Sequence, residues 1–363
     1  MIGWGDMYKV VVSMFPLYVP LMLGYSSVKW WRLFSHDQCD GINRFISLFI
    51  LPLFGFGFTA HINPFAMNFR LLAADGLSKL ATLSILALWG RFSSRGSYSW
   101  CITTFSLCTL PNLLVVGVPM LQAMYGKWAV DLAVQLCMLQ SLIWYPLVLL
   151  FLEFRKRRMM DLATPPPPPP EENGVVDEER DIGMSVVNTS EVGGDDLEKR
   201  SHGTFQMVWI KMAMNPNVYA NVLGLAWALT ASRLKFTMPS IMEGSIEIMS
   251  KGGTGTAMFN IGIFMAMQTK VIACGTGPAV LGMVSRFAVG PATMALCSLA
   301  LGLHGPSLRV AIIQAALPQA ITSFVFANDY RLHAKVISTA VVFGTLISLP
   351  LLIGYYVVLD YAA

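Results

Sequence analysis

The sequence predicts an all-α membrane protein of ten spans, arranged as two five-helix halves of opposite orientation. Three observations predict it. The chain of 363 residues is 55% hydrophobic and 13% charged, with a mean hydropathy of +0.58, where a soluble domain carries about 25% charged residues. Charge is also unevenly spread: of 21 acidic residues, 12 lie between Glu153 and Glu198, and nine serve the rest of the chain. That pattern fits helices of about 20 apolar residues crossing a bilayer. Finally, two apolar segments are interrupted in the same way, one by Leu110-Pro111-Asn112 and one by Leu317-Pro318-Gln319. A proline removes a backbone donor and clashes with the preceding turn. Lipid tolerates the freed groups only where protein or a water-filled cavity surrounds them.

In chain order, the first span covers residues 7–28. Lys29, Trp30, Trp31 and Arg32 follow it, not a small-residue cleavage site, so it reads as a span and not as a signal peptide. The second, 39–59, holds Pro52, Gly55 and Gly57. The third is 71–92, and the fourth, 100–124, is broken at Pro111. The fifth, 129–152, ends in Glu153-Phe154-Arg155-Lys156-Arg157-Arg158. Residues 154–205 change character, with six prolines at 165–170 and a run rich in Glu, Asp, Gly and Ser. Such a stretch buries too little apolar surface to fold, and the prolines read as an extended linker rather than a docking motif. Spans resume at 218–231, 241–267, 273–301, 307–327 (broken at Pro318) and 334–359. The domains are therefore residues 1–153, 154–205 and 206–363. Five spans per half insert the second half upside down, and the broken helix is fourth in each, as in an inverted-topology repeat. Lys and Arg are in excess on the side of the central loop, which places that loop in the cytosol and both termini on the other side. The sequon Asn188-Thr189-Ser190 is discounted accordingly.

The net charge of +4 comes from bases that flank apolar segments, which suits lipid headgroups and not nucleic acid. Six cysteines lack CxxC spacing and read as packing residues. No HExxH or GxSxG occurs, and the five histidines fall at span ends or in loops, so the chain is not read as an enzyme and no metal or cofactor is expected. Lys251-Gly252-Gly253-Thr254-Gly255-Thr256 lacks the order of a phosphate loop and reads as small residues for close helix packing.

Paired interrupted helices point to a transporter's substrate site. Asn112 and Gln319 each place an amide where backbone groups are unpaired, and the helix that starts there favours an anion. The functional reading is capture of a carboxylate; the alternative is that each amide mends its own kink. Asp75 and Lys79, four apart, share one helix face as a buried pair, either a structural pin or part of the transport cycle. Gln140 and Tyr145, five apart, would stand roughly 140° apart on a helix, so that both line only a broad cavity. Glu243 and Glu247 read as facing the aqueous edge.

The motifs Pro16-Leu17-Tyr18-Val19, Ile42-Asn43-Arg44-Phe45, Asn63-Pro64-Phe65, Leu110-Pro111-Asn112, Gln140-Ser141-Leu142-Ile143-Trp144-Tyr145, Asn215-Pro216-Asn217 and Gln314-Ala315-Ala316-Leu317-Pro318-Gln319 resemble the plant PIN-FORMED auxin efflux carriers over nearly the whole chain outside residues 155–205. The resemblance implies a scaffold and a transport domain of the sodium–proton antiporter and bile-acid symporter type, a homodimer in the lipid bilayer, and the anion of indole-3-acetic acid as substrate. It implies a carboxylate site at Asn112, a cross formed by Pro111 and Pro318, a support pair Asp75–Lys79, and contacts from Gln140 and Tyr145. The short central loop resembles the branch that acts in the endoplasmic reticulum and not at the plasma membrane. Gly55, Ala320 and Ser323 depart from the family's usual residues. The expected function is alternating-access, elevator-type uniport of indole-3-acetate between cytosol and endoplasmic reticulum lumen. Around that anion, Asn112, Pro111, Gly55, Pro318 and Gln319 join Leu51, Leu114 and Ile321, which hold the ring. The alternatives are a proton- or sodium-coupled symporter of another organic anion, and a non-transporting sensor that binds auxin.

Overall fold

The structure, a computed structural model, describes residues 4–93, 96–163, 206, 210, 214–268, 272 and 274–361. Among them all regular secondary structure is helical, apart from one antiparallel bridge between Pro111 and Gln319. The helices are α1 (Trp4–Lys29), α2 (His36–Phe45), α3 (Leu51–Ala60), α4 (Phe69–Phe92), α5 (Tyr98–Thr109), α6 (Val118–Tyr125), α7 (Lys127–Leu139), α8 (Tyr145–Ala163), α9 (Pro216–Leu234), α10 (Ser240–Lys251), α11 (Gly253–Met267), α12 (Thr276–Val284), α13 (Gly290–Ala300), α14 (Gly305–Ala315), α15 (Ile321–Asp329) and α16 (Ala334–Tyr361).

Helix starts follow the sequence closely. Ser35 and Gln38 form a capping box at α2. Asn68, Asn112 and Asn215 each accept a first-turn amide through the side-chain oxygen. Four π-helical turns, Ile46–Ile50, Leu113–Gly117, Gln140–Trp144 and Ser285–Val289, were not anticipated. Each is followed, two residues on, by a proline: Pro52, Pro119, Pro146 and Pro291. A proline ring collides with the carbonyl four residues back. Widening the preceding turn to i→i+5 bonding moves that carbonyl aside without ending the helix.

Six helical stretches are long and apolar enough to cross a membrane: Val10–Lys29, His36–Ala60, Phe69–Phe92, Lys127–Met159, Thr276–Ala300 and Ala334–Tyr361. The fourth and ninth expected spans are interrupted at the two prolines, as the sequence indicated. The seventh departs from expectation: residues 241–267 are divided at Gly252 into α10 and α11. Gly253 there lies against the Phe54 ring, with no room for a Cβ. The sixth begins at Pro216, with Asn215 as its cap, and the helix of the fifth continues past residue 152 to Ala163. The proline run at 165–170, the sequon at 188–190, His202 and Lys270 lie outside the described residues.

Burying an apolar side chain between helices gains little over lipid, so close backbone approach and polar ties carry the packing. In one group, α1 lies along α11, where a Cβ on Gly24 or Gly262 would collide with the carbonyl oxygen of Phe259 or Leu21. Alongside, α9 lies along α3 with Gly224 against Thr59. Thr59 donates to Asn221 Oδ1 (3.0 Å) and Asn260 Nδ2 donates to Asn43 Oδ1 (2.8 Å), tying α3 to α9 and α11 to α2. The second group contains α4, the interrupted pairs α5–α6 and α14–α15, α7–α8, α12–α13 and α16. The largest apolar core joins the groups, running from Val10, Leu21 and Ile261 to Leu113, Leu121 and Leu317.

Candidate functional site

The two breaks mend each other. Residues 110–112 and 318–320 cross antiparallel: Asn112 N–H donates to Pro318 O at 2.8 Å, and Ala320 N–H donates to Leu110 O at 3.1 Å. The backbone groups at the breaks, Leu110 O, Asn112 N–H, Pro318 O and Ala320 N–H, are thus paired across the crossing, as a buried position requires.

Four helix ends meet here, and they sort by polarity. Residues 111–115 and 320–322, which begin the second halves, line a cavity of about 400 Å³. First-turn amides have no partner inside a helix, and the N-terminal end carries partial positive charge. Cys108, Thr109, Gln314 and Ala315, which end the first halves, line a separate chamber of about 10 Å³, where the partial charge is negative.

On the cavity side, the remaining walls come from α2–α3 (Asn43, Ser47, Leu51, Gly55), α7–α8 (Gln140, Tyr145), α9 (Asn217, Asn221) and α11 (Asn260). Among the described residues, the lining holds amides, hydroxyls and apolar groups but no Asp, Glu, Lys, Arg or His. Asn112 is 8% exposed, and its Oδ1 accepts from Val115 N–H at 3.4 Å. Its Nδ2 is the donor left for the cavity. Gly55 has room for a side chain: the nearest atom to a Cβ there is Asn221 Oδ1 at 3.5 Å.

Gln140 and Tyr145 do not stand apart. The π-helical turn Gln140–Trp144 replaces the regular 100° step, and Gln140 Nε2 donates both to Tyr145 Oη and to Pro111 O, each at 2.9 Å. The expected 140° separation is corrected by Pro146, whose ring imposes that turn. Gln140 thereby clamps the carbonyl of the first crossover proline.

Of the residues expected at the site, Leu51, Gly55, Pro111, Asn112, Leu114, Gln140, Tyr145 and Ile321 line the cavity. Pro318 and Gln319 do not. Gln319 is fully buried behind the crossing, where its Nε2 donates to Ser106 O at 3.1 Å and to Ser323 Oγ at 2.6 Å. Its geometry is that of a kink repair.

On the chamber side, Asp75 and Lys79 form the pair their spacing implied. Lys79 Nζ lies 2.8 Å from Asp75 Oδ2, both side chains are 3% exposed, and Nζ stands 5.1 Å from the Trp144 ring centre. Arg286 was missed. It is fully buried, donating through Nη1 to Leu107 O at 3.0 Å and through Nη2 to Ala315 O. The signal was present: a lone arginine inside the apolar run 273–301, a costly placement that marks a function. Glu153, at the end of the first half, is buried and accepts from the Tyr330 hydroxyl.

The ends of α8 and α16 also correspond. Arg155 donates to Ser99 Oγ (2.7 Å), at the start of the first interrupted helix, and to Tyr330 O (3.3 Å), beyond the end of the second. At the other end, Asp360 of α16 accepts from Arg309 Nη1 (2.8 Å), near the start of the second interrupted helix. Tyr356 donates to Met124 O (3.4 Å), near the end of the first.

A family model described as membrane transport protein matches residues 9–356. The chain is 54% identical to auxin efflux carrier component 5 of Arabidopsis thaliana over 374 aligned positions, covering 99% of each chain. It is 51% identical to probable auxin efflux carrier component 5a of Oryza sativa subsp. japonica, again over 99% of each chain. Against probable auxin efflux carrier component 1b of the same rice, identity is 34% and the alignment stretches to 552 positions, covering 99% of this chain and 100% of the relative.

Proposed function

The chain belongs to the membrane transport protein family, in the short-loop branch of the auxin efflux carriers, and on that premise we propose that it carries the indole-3-acetate anion between the cytosol and the lumen of the endoplasmic reticulum. The observation that carries this reading is a 400 Å³ cavity without Asp, Glu, Lys, Arg or His in its lining, closed at one end by two helix N-termini and the Asn112 amide. Its size is in the range of small-molecule sites. A carboxylate placed there meets Asn112 Nδ2 and the first-turn amides of the segments starting at Leu113 and Ile321, which favour negative charge. Leu51, Leu114 and Ile321 supply the apolar walls for the ring.

The mechanism is alternating-access uniport of the elevator type. The group built on α1–α3 and α9–α11 is the static scaffold, through which two copies pair, and the group around the crossing moves with the anion. Three features support this division: the cavity lies between the groups, the scaffold helices approach closely through glycines, and the crossing is held within one group. The neutral lining brings no countercharge, and Asp75 is already paired with Lys79. The anion therefore crosses with its charge, driven by its gradient and by roughly 2.3 kcal/mol per 100 mV of potential. Placement in the endoplasmic reticulum, with the central loop cytosolic, is supported by the loop's length and by end-to-end likeness to short-loop relatives.

The test is uptake of labelled indole-3-acetate into proteoliposomes holding the full chain, with and without an imposed potential or pH gradient. Saturable uptake that follows the potential is expected, and it should fall about tenfold or more in Asn112→Ala as the donor is lost. Uptake that requires a proton gradient and vanishes in Asp75→Asn would replace the uniporter with a symporter. Binding without flux would leave a sensor.

A further inference from the structure

Arg286 has no part in the cavity, yet it touches both interrupted helices. It sits in the π-helical turn Ser285–Val289 that precedes Pro291, and none of its surface is exposed. Its Nη1 reaches Leu107 O in the last turn of α5, and its Nη2 reaches Ala315 O, the last residue of α14. The backbone is held there as well: a Cβ on Gly290 would lie 2.6 Å from Cys108 O, so α13 rests directly on the end of α5. A buried cation needs a countercharge. The nearest carboxylate in the chamber, Asp75, is taken by Lys79 at 2.8 Å. What remains is the two helix ends, each worth roughly half a negative charge. Together they match one guanidinium, whose planar fork is suited to two carbonyls on different helices.

We propose that Arg286 is the positioning residue of the crossing: its charge cancels the negative ends of both interrupted helices and leaves their positive ends, on the cavity side, to act on the transported anion. With Arg286 in place, the chamber holds one neutral ion pair plus one cation balanced by two dipole ends. Without its charge, a net negative site lies directly behind the crossing and opposes an anion in the cavity. This rests on the anion-carrier reading for its transport consequence, but not for its effect on the fold.

The test compares Arg286→Lys, which keeps the charge with fewer donors, with Arg286→Gln, which keeps amide donors without the charge. In proteoliposomes, Arg286→Gln is expected to raise the KM for indole-3-acetate about tenfold with a much smaller change in Vmax, and Arg286→Lys to stay within about threefold of the parent chain. Competition by neutral indole-3-acetamide, which has no charge to be opposed, should change less than competition by the acid. A purely structural role would weaken both ligands alike and would favour whichever variant better fills the two carbonyls. If Arg286→Gln transports as well as Arg286→Lys, or loses acid and amide equally, the proposal is overturned. If the parent chain itself carries no indole-3-acetate, the function reading fails and the melting transition of the purified chain decides the inference. Arg286→Lys must then melt clearly above Arg286→Gln; the reverse order would sink it.

Discussion

The two Leu-Pro-amide breaks have almost the same letters and opposite surroundings. Asn112 caps the segment that follows it and leaves its Nδ2 to a 400 Å³ cavity. Gln319 has no exposed surface and spends its Nε2 on Ser106 O and Ser323 Oγ. One methylene contributes to the difference. The shorter Asn reaches the third amide of its own helix, as a cap does, whereas Gln reaches past its own start to Ser106 O near the end of α5, which also accepts from Leu110 N–H. A repeated motif in two halves therefore marks a shared construction, and each copy has to be read for its own role. The same division runs through the whole crossing, with a neutral, roomy face at the helix N-termini and a charged, tightly filled face at the C-termini.

The largest expected effect breaks the filled face. Asp75→Asn leaves Lys79 buried without its carboxylate, and removing one partner of a buried pair costs about 3–5 kcal/mol. The purified variant should melt far below the parent chain, and Asp75→Asn combined with Lys79→Gln should recover most of the loss. A single variant as stable as the parent would show that Lys79 sheds its proton or finds another partner.

Next, exchanging the roles of the two amides tests the comparison itself. Gln319→Leu removes a buried donor from Ser106 O and Ser323 Oγ and should lower stability by about 1–3 kcal/mol, with the KM of the surviving carrier nearly unchanged. Asn112→Ala should do the reverse, losing uptake while melting close to the parent, since a cap lost from a helix costs about 1 kcal/mol. Melting curves and uptake on the same preparations separate the two. If Gln319→Leu raises KM and leaves stability alone, both amides serve the substrate.

Much of this arrangement was legible in the sequence. Proline followed by an amide in an apolar run gave the two breaks, and a four-residue spacing gave the Asp75–Lys79 pair, because both rules are local; the cross of the two prolines came only with the family resemblance. The side on which Gln319 falls was not legible, since it depends on the other half of the chain. Gln140 and Tyr145 were placed on different faces because a regular helix was assumed; Pro146 carried the correction, as three other prolines did for their own turns. Glu153 was legible as the end of the first half, but its partner, Tyr330, comes from the distant second half and was not.

The smallest expected effect concerns the ties at the two ends of the bundle, where the correspondence between halves is incomplete. The Arg309–Asp360 end carries a salt bridge and no histidine contact among its described bonds. The other end adds His333, just before α16, whose Nδ1 lies 2.9 Å from Thr103 Oγ1 and whose ring stacks on Trp100 at 4.2 Å. Burial, and then the nearby Arg155 charge, hold the pKa of His333 below the usual histidine value. The folded chain thus takes up this proton less readily than the unfolded chain. Stability is whole above the unfolded value of about 6.5 and declines as the pH falls through it, because the unfolded state binds the proton first. The Trp100 face works the other way, since an aromatic ring attracts a cation, so the net shift should be small. Melting the parent chain and His333→Gln at about pH 7.5 and about pH 5.5 isolates it. The parent should lose slightly more stability on acidification than the variant. An equal loss would mean that Trp100 offsets Arg155 and burial, leaving this end as insensitive to pH as its counterpart.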